Sequence, residues 1–412
     1  MKILSIGILL TFLIISCSGG KNRKKWNRQR HWAPGHHTKA HSSGEHHVLH
    51  KISFKKDGSY GSTKNVVVGR MASFAVGGRG RVFIADEGNT RVDVFSPDGR
   101  YLKSLGRQGN GPGEFATVSP RTVIRTRSGR LYVPDYKNAS DYFPDRLQVF
   151  SLDSLAFIRT VQLLAPNKSH YSKLDAYYPD HVYPRSDGRF LVGYRKQPNK
   201  YLDSTSYIRY VIQNSSGAIV KGPILQQKDR TYLKYVRQDL KIPITDAFWF
   251  PFFGKSILVR SMRGRLYAVH NTQQFKIEVY TPNGKHLRSF RHSFHKVPLS
   301  RHALINRYKK KFSRNGVNIP VKMIRHAHTL PKTWPALHSM LMDDQNRLGV
   351  STIVKSRKIY CWWVMNNKGT VLAKFNWPRS KPIKKVKHGY IYTLEKNNKG
   401  VPQVVRYKIQ MQ

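Results

Sequence analysis

Arg79–Phe115, RGRVFIADEGNTRVDVFSPDGRYLKSLGRQGNGPGEF, decides the fold. An apolar run, Val82–Ala85, follows a Gly80-Arg81 corner. A polar turn spans Asp86–Thr90, and a second run, Arg91–Phe95, alternates polar and apolar residues as a strand does. Pro97-Asp98-Gly99 is a tight reversal, because glycine supplies the positive φ that such turns need. Tyr101–Leu105 is a third strand, and a glycine-rich loop, Gly106–Gly113, leaves it.

Degenerate copies of this unit run to the C-terminus. Gly-Arg corners, or their equivalents, stand at Gly80-Arg81, Gly129-Arg130, Gly188-Arg189, Gly264-Arg265, Asn346-Arg347 and Gly389-Tyr390. A short apolar stretch precedes each one: Ser73–Val76, Thr122–Ile124, His181–Tyr183, Ser256–Val259, Ser339–Met342 and Lys384–Val386. Four short strands per unit at a period of roughly 40–80 residues mark a β-propeller. The last unit lacks its outer strand, whereas Val48–Phe54 is a spare strand ahead of the first. The expected fold class is therefore all-β: a six-bladed β-propeller of four-stranded antiparallel blades, closed by that N-terminal strand. Residues 299–336 are the largest insertion. A short helix is expected over Arg301–Phe312, capped by Ser300, with His302, Ile305, Tyr308 and Phe312 on one face. Pro320, Pro331 and Pro335 are expected to break regular structure after it.

The domain reading is 1–17 signal peptide, 18–46 tether and 47–412 propeller. Lys2 and the apolar run Ile3–Ile15 form an export signal too short for a comfortable span. It ends in Ile14-Ile15-Ser16-Cys17, which resembles a bacterial lipobox. The resemblance implies diacylation of Cys17, anchoring at the cell envelope and, from Ser18, sorting to the outer membrane. The tether holds Lys21, Arg23, Lys24, Lys25, Arg28 and Arg30, then His31, His36, His37, His41, His46 and His47. It reads as a solvated cationic linker suited to anionic headgroups. Its histidines have no regular metal-binding spacing. With Cys17 lipidated, Cys361 has no partner and reads as a small buried hydrophobe.

Seventy-three Lys and Arg against 22 Asp and Glu give a formal charge of +51. Such an excess attracts polyanions unless it is spread as a general adaptation. Beside the inner strands stand Arg121, His181, Lys255, Arg260, His338 and Lys384, which would make the channel mouth positive. Tyr177, Tyr178, Phe248, Trp249, Phe250, Phe252, Phe253 and Trp334 accompany them. Basic plus aromatic residues suit ring-bearing anions, whereas the plain alternative is blade core with solvated lysines. An anionic glycan, a lipid or a protein partner is expected. Nucleic acid is not expected for an exported chain, and the expected state is a monomer.

Gly106–Gly113 lacks the Lys-Ser/Thr and the αβ setting of a phosphate loop, so it reads as a blade-to-blade connection. Asp86, Asp135 and Glu395 share one position in three units and read as turn residues rather than metal ligands. No Ser sits in a nucleophile elbow, and no Cys/His zinc pattern occurs. These motifs call for no cofactor. The leading reading is a binding or scaffold module. The alternative is a propeller lyase or hydrolase, acting on polysaccharide or lactone with a metal in the channel.

Ile84-Ala85-Asp86, Asn89-Thr90-Arg91-Val92, Val94-Phe95 and Asp98-Gly99 together resemble the NHL repeat. Leu105-Gly106-Arg107 with Gly111-Pro112-Gly113-Glu114-Phe115 resembles the inter-blade loop of six-bladed propeller lipoproteins of Bacteroidetes-like bacteria. Thr333-Trp334-Pro335-Ala336 followed by Asp343 is similar to the segment before their fifth blade. The resemblance implies a scaffold and an envelope location, and no reaction.

Overall fold

The computed structural model describes residues 51–138, 141, 143–196, 205–237, 244–309 and 318–411. Twenty-five strands form six antiparallel sheets. β1 (Ile52–Tyr60) leads the chain. Blade one is β2 (Met71–Val76), β3 (Val82–Asp86), β4 (Arg91–Phe95) and β5 (Tyr101–Leu105). Blade two is β6 (Arg125–Arg127), β7 (Arg130–Asp135), β8 (Arg146–Ser151) and β9 (Phe157–Gln162). Blade three is β10 (Tyr177–Pro184), β11 (Phe190–Lys196), β12 (Thr205–Gln213), β13 (Ile219–Arg237) and β14 (Ile244–Trp249). Blade four is β15 (Ile257–Arg260), β16 (Leu266–Val269), β17 (Lys276–Tyr280) and β18 (His286–Arg291). The helices α1 (Arg301–Lys309) and α2 (Ile319–His326) follow. Blade five is β19 (Leu337–Met342), β20 (Leu348–Ile353), β21 (Ile359–Met365) and β22 (Val371–Pro378). Blade six is β23 (Ile383–Lys387), β24 (Tyr390–Lys396) and β25 (Pro402–Met411), completed by β1.

The ring closes as expected. β1 pairs antiparallel with β25, from Ile52 opposite Met411 to Tyr60 opposite Val404. The closing strand lies further along the chain than the expected Val48–Phe54, and Val48 and His50 fall outside the described residues. The Tyr60 hydroxyl donates to the Pro97 carbonyl at 2.8 Å, so the last blade is tied to the turn of the first.

The core is a set of wedges between successive blades. Phe83 and Ala85 of β3 face blade two, whereas Val82 and Ile84 face blade six. Alternate side chains of one strand thus bury against different neighbours. This is why the second strands read as unbroken apolar runs rather than as alternation. Their lead-in corner needs a left-handed backbone. Gly80 takes it with φ +77°, and Asn346 takes it in blade five with φ +61°. Asparagine tolerates this region better than other non-glycine residues, so blade five keeps the turn without the glycine.

Three expectations need correction. The innermost strand of blade two is Arg125–Arg127, not Thr122–Ile124. Thr122 instead belongs to a turn closed by its N–H on the Ser119 carbonyl at 2.8 Å. Blade three has a fifth strand, since β13 runs on past the blade and folds back with β14. The third correction concerns the insertion. α1 starts as expected, with the Ala303 N–H on the Ser300 hydroxyl at 3.2 Å, but its described residues end at Lys309. Its buried pair is Leu304 and Tyr308, one turn apart, while His302 is exposed. Pro320 does not break structure here. It sits in the first turn of α2, where proline's fixed φ suits a helix and no N–H is lost. Asn318 caps that helix, accepting from the Val321 N–H at 3.0 Å.

The β13–β14 hairpin and the two helices share a core of their own, built on Phe250, Phe252, Leu304, Tyr308, Val321 and Ile324. They form a cap beside blades three to five. The ends of the insertion pair with each other, Leu299 N–H to the Lys332 carbonyl at 2.9 Å and Trp334 N–H to the Val297 carbonyl at 2.8 Å.

Candidate functional site

Each innermost strand starts at one end of the ring and finishes at the other. The finishing end is bridged. The Arg127 guanidinium of blade two donates to the Met262 carbonyl of blade four at 2.8 Å. The Met262 N–H donates to the Asn346 side chain of blade five at 2.9 Å. Arg260 lies at this end too, donating to the Pro184 carbonyl. Burial, then Arg127 and Arg185, lowers its pKa to about 10. The sequence predicts Arg260 at the mouth. It sits instead a full strand away from Lys255, five residues or about 16 Å at the rise of a strand.

The starting end is the mouth, and it gathers the other five expected residues. Arg121 precedes β6, Lys255 precedes β15, His338 and Lys384 are the second residues of β19 and β23, and His181 is the fifth residue of β10, next to the bulged Asp180. Local backbone explains part of this. In blades one, three and five the register slips at the same step of the innermost strand, leaving Ala72, Asp180 and His338 as bulged residues. A bulge re-aims its side chain, so a strand that should alternate brings an extra polar group to the axis. Lys384 is the bulged residue of blade six.

Charges act on one another across the axis. Lys255 of blade four feels Lys384 of blade six, and Lys385 of blade six feels Arg125 of blade two. Burial, followed by these neighbouring cations, brings Lys255 and Lys385 down to about 8. Burial, with Lys255, Arg379 and Lys384 beside it, lowers His338 to about 3, so its ring is neutral at pH 7. His338 stacks on Tyr360 with ring centroids 4.2 Å apart, and the Arg379 guanidinium lies 4.3 Å from the centre of that same ring.

Two carboxylates temper the blade-three side. Asp180 contacts Arg195 at 2.7 Å and His181 at 3.5 Å. Asp229 contacts Arg195 at 3.0 Å and Arg230 at 3.7 Å, and accepts from Ser206 at 3.2 Å. Burial would raise the Asp180 pKa, but His181, Arg195, Arg230 and Arg121 hold it below the usual carboxylate range. Burial depresses His181 although 36% of its side chain meets solvent, and Asp180 partly offsets this. Arg230 also lies over the Trp249 ring at 4.9 Å. Sequence reasoning missed Asp180, Arg195, Asp229 and Arg230. Only the bulge and the long β13 bring them together, and neither leaves a motif.

The three acidic residues that share a position after the second strand are used locally. Asp86 accepts from the N–H groups of Gly69, Arg70 and Gly88 at 2.9–3.0 Å. Asp135 takes Arg146 at 2.8 Å, and Glu395 accepts from Tyr407 at 2.8 Å. Among the described residues no three His, Cys, Asp or Glu side chains group closely enough to hold a metal ion. The glycine-rich loop is folded on itself. Phe115 N–H donates to the Arg107 carbonyl at 2.9 Å, and Glu114 takes Arg107 at 2.8 Å. Cys17 and the histidine-bearing tether lie outside the described residues.

Residues 63–230 match the model of the family DUF5128, described as a 6-bladed beta-propeller. The chain matches no curated protein at a significant level. Among solved structures it is similar to a Bacteroides fragilis protein described as exported, with 11% identity and a TM-score of 0.49 over 90% of this chain and 98% of that one. A DUF4221 member from Bacteroides vulgatus shares 10% identity with a TM-score of 0.48, covering 89% of this chain and 99% of its own. Virginiamycin B lyase from Staphylococcus aureus shares 9% identity with a TM-score of 0.39, covering 87% and 99%.

Proposed function

We propose that this six-bladed propeller, matched over residues 63–230 by a family of that fold, is an exported envelope protein anchored through a lipid on Cys17. Its ring binds an acidic polymer, such as a uronate-bearing polysaccharide, at the mouth. One observation carries the reading. Among the described residues, Arg121, His181, Arg195, Arg230, Lys255, Lys384 and Lys385 stand around one end of the axis against two carboxylates, Asp180 and Asp229. Low-dielectric walls focus the field of such a cluster, and its lysines already pay for desolvation before any ligand arrives. A polyanion would remove that cost on binding. Trp249, with Arg230 over its ring, pairs an aromatic face with a cation as sugar acids require, whereas Tyr360 is covered by His338 and Arg379.

The experiment is titration with polygalacturonate and with neutral dextran. Wild type should bind the first and ignore the second. The double variant Lys255→Gln/Lys384→Gln should bind polygalacturonate about tenfold more weakly, a difference of about 1.4 kcal/mol. Equal binding by wild type and double variant would sink the mouth assignment.

A further inference from the structure

The cap holds a second, smaller site. A cleft of about 180 Å³ opens between the first turns of α1 and the chain leading into blade five. It is lined by Leu299, Ser300, Leu304, Arg307, Trp334 and Arg357, and among the described residues no Asp or Glu lines it. Drug-sized sites run to roughly 300–1,000 Å³, so this one has room for a single ring rather than a chain.

Its electrostatics are one-sided. The Arg307 guanidinium lies over the Trp334 ring at 5.2 Å. Arg379, just behind, feels Arg307 and Arg357, and no carboxylate acts on it. Arg379 is itself fixed by carbonyls, Ile359 at 2.8 Å and Ser356 at 3.2 Å. Like charges do not gather around an apolar floor without cost. Where a carboxylate is at hand an arginine takes it, as at Arg146–Asp135 and Arg347–Asp343, at 2.8 and 2.7 Å. Guanidinium groups hold carboxylates in a planar, two-bond fit, while an indole and leucines hold the body of a ring.

We propose that this cleft binds a ring-borne carboxylate, of the hexuronate type, with Arg307 and Arg357 on the carboxylate and Trp334 with Leu304 against the ring. The cleft shares no lining residue with the mouth, Arg379 lying between the two, and its assignment stands whether or not the mouth takes a polymer. Arg357 is exposed, so its replacement leaves the fold intact.

The test is calorimetric titration of the full protein with D-glucuronate, D-glucose and inorganic sulfate, with tryptophan fluorescence as a second readout. D-Glucuronate should bind, and Arg357→Gln and Arg307→Gln should each weaken it at least about tenfold with unchanged melting temperature. Lys255→Gln/Lys384→Gln should leave its affinity within about twofold, which separates this site from the mouth. D-Glucuronate affinity unmoved in Arg357→Gln overturns the proposal. So does D-glucose binding equally well, because the carboxylate then contributes nothing. Sulfate binding as tightly as D-glucuronate overturns the part assigned to the ring.

Discussion

Tyr60 makes the closure of the ring measurable. It ends β1, is 2% exposed, and packs in the wedge between blades six and one with Phe95, Val76 and Tyr392. Its hydroxyl reaches the Pro97 carbonyl at 2.8 Å. Tyr60→Phe removes only that hydrogen bond and should cost about 1 kcal/mol. Tyr60→Ala also empties an aromatic-sized volume in a packed wedge, which should cost about 3–5 kcal/mol. A fold stabilised by about 5–15 kcal/mol in total would lose a large share of it. The assay is urea unfolding followed by tryptophan fluorescence and by far-UV circular dichroism. The expected order of midpoints is wild type, then Tyr60→Phe slightly lower, then Tyr60→Ala far lower, with both probes moving together. A Tyr60→Ala midpoint within error of Tyr60→Phe would show that the wedge carries no load. The closing strand would then be an ornament.

Three other outcomes follow from the same structure. Lys255 and Lys385 titrate near 8, below the ordinary lysine range. Between about pH 8 and 10.5 the unfolded chain therefore binds more protons than the folded one, and stability should rise with pH there. Over pH 7 to 9 the mouth loses positive charge, so polygalacturonate affinity should fall while the melting temperature climbs; a flat affinity would count against these lysines. Gly106→Ala should destabilise by about 2 kcal/mol or more, because φ is +70° and an added Cβ would collide with the Phe115 ring; an unchanged melt would contradict the tight-loop reading. Cys17→Ser should move the protein from the membrane pellet to the soluble fraction of its native host; continued pelleting would reject the lipid anchor.

The blades were legible because their grammar is local. Gly80-Arg81-Val82-Phe83 announces a corner and a doubly buried strand within four residues, and Asp98-Gly99 announces the next turn. The closing strand was legible by arithmetic, since blade six lacked a partner for Val404–Ile409. The cap was not. Ile244–Trp249 has no Gly-Arg corner before it, and Pro320 reads as a breaker unless Asn318 is recognised as a cap. At the mouth, Lys255, His338 and Lys384 could be named because they neighbour inner strands. Arg260 could not be told from them, because one strand length separates the two ends of the ring and residue type does not say which end. Asp180 depends on a register slip, which appears only when the partner strand is counted.

The measurement closest to the central claim is hydrogen exchange with and without saturating polygalacturonate at physiological salt, where the Debye length of about 8 Å screens diffuse attraction. Protection should concentrate in Tyr177–Pro184, Ile257–Arg260, Leu337–Met342 and Ile383–Lys387, the inner strands around the mouth. Protection spread over the outer strands β5, β9 and β18, with none at the axis, would mean that the +51 charge attracts polyanions everywhere and that the mouth is no site at all.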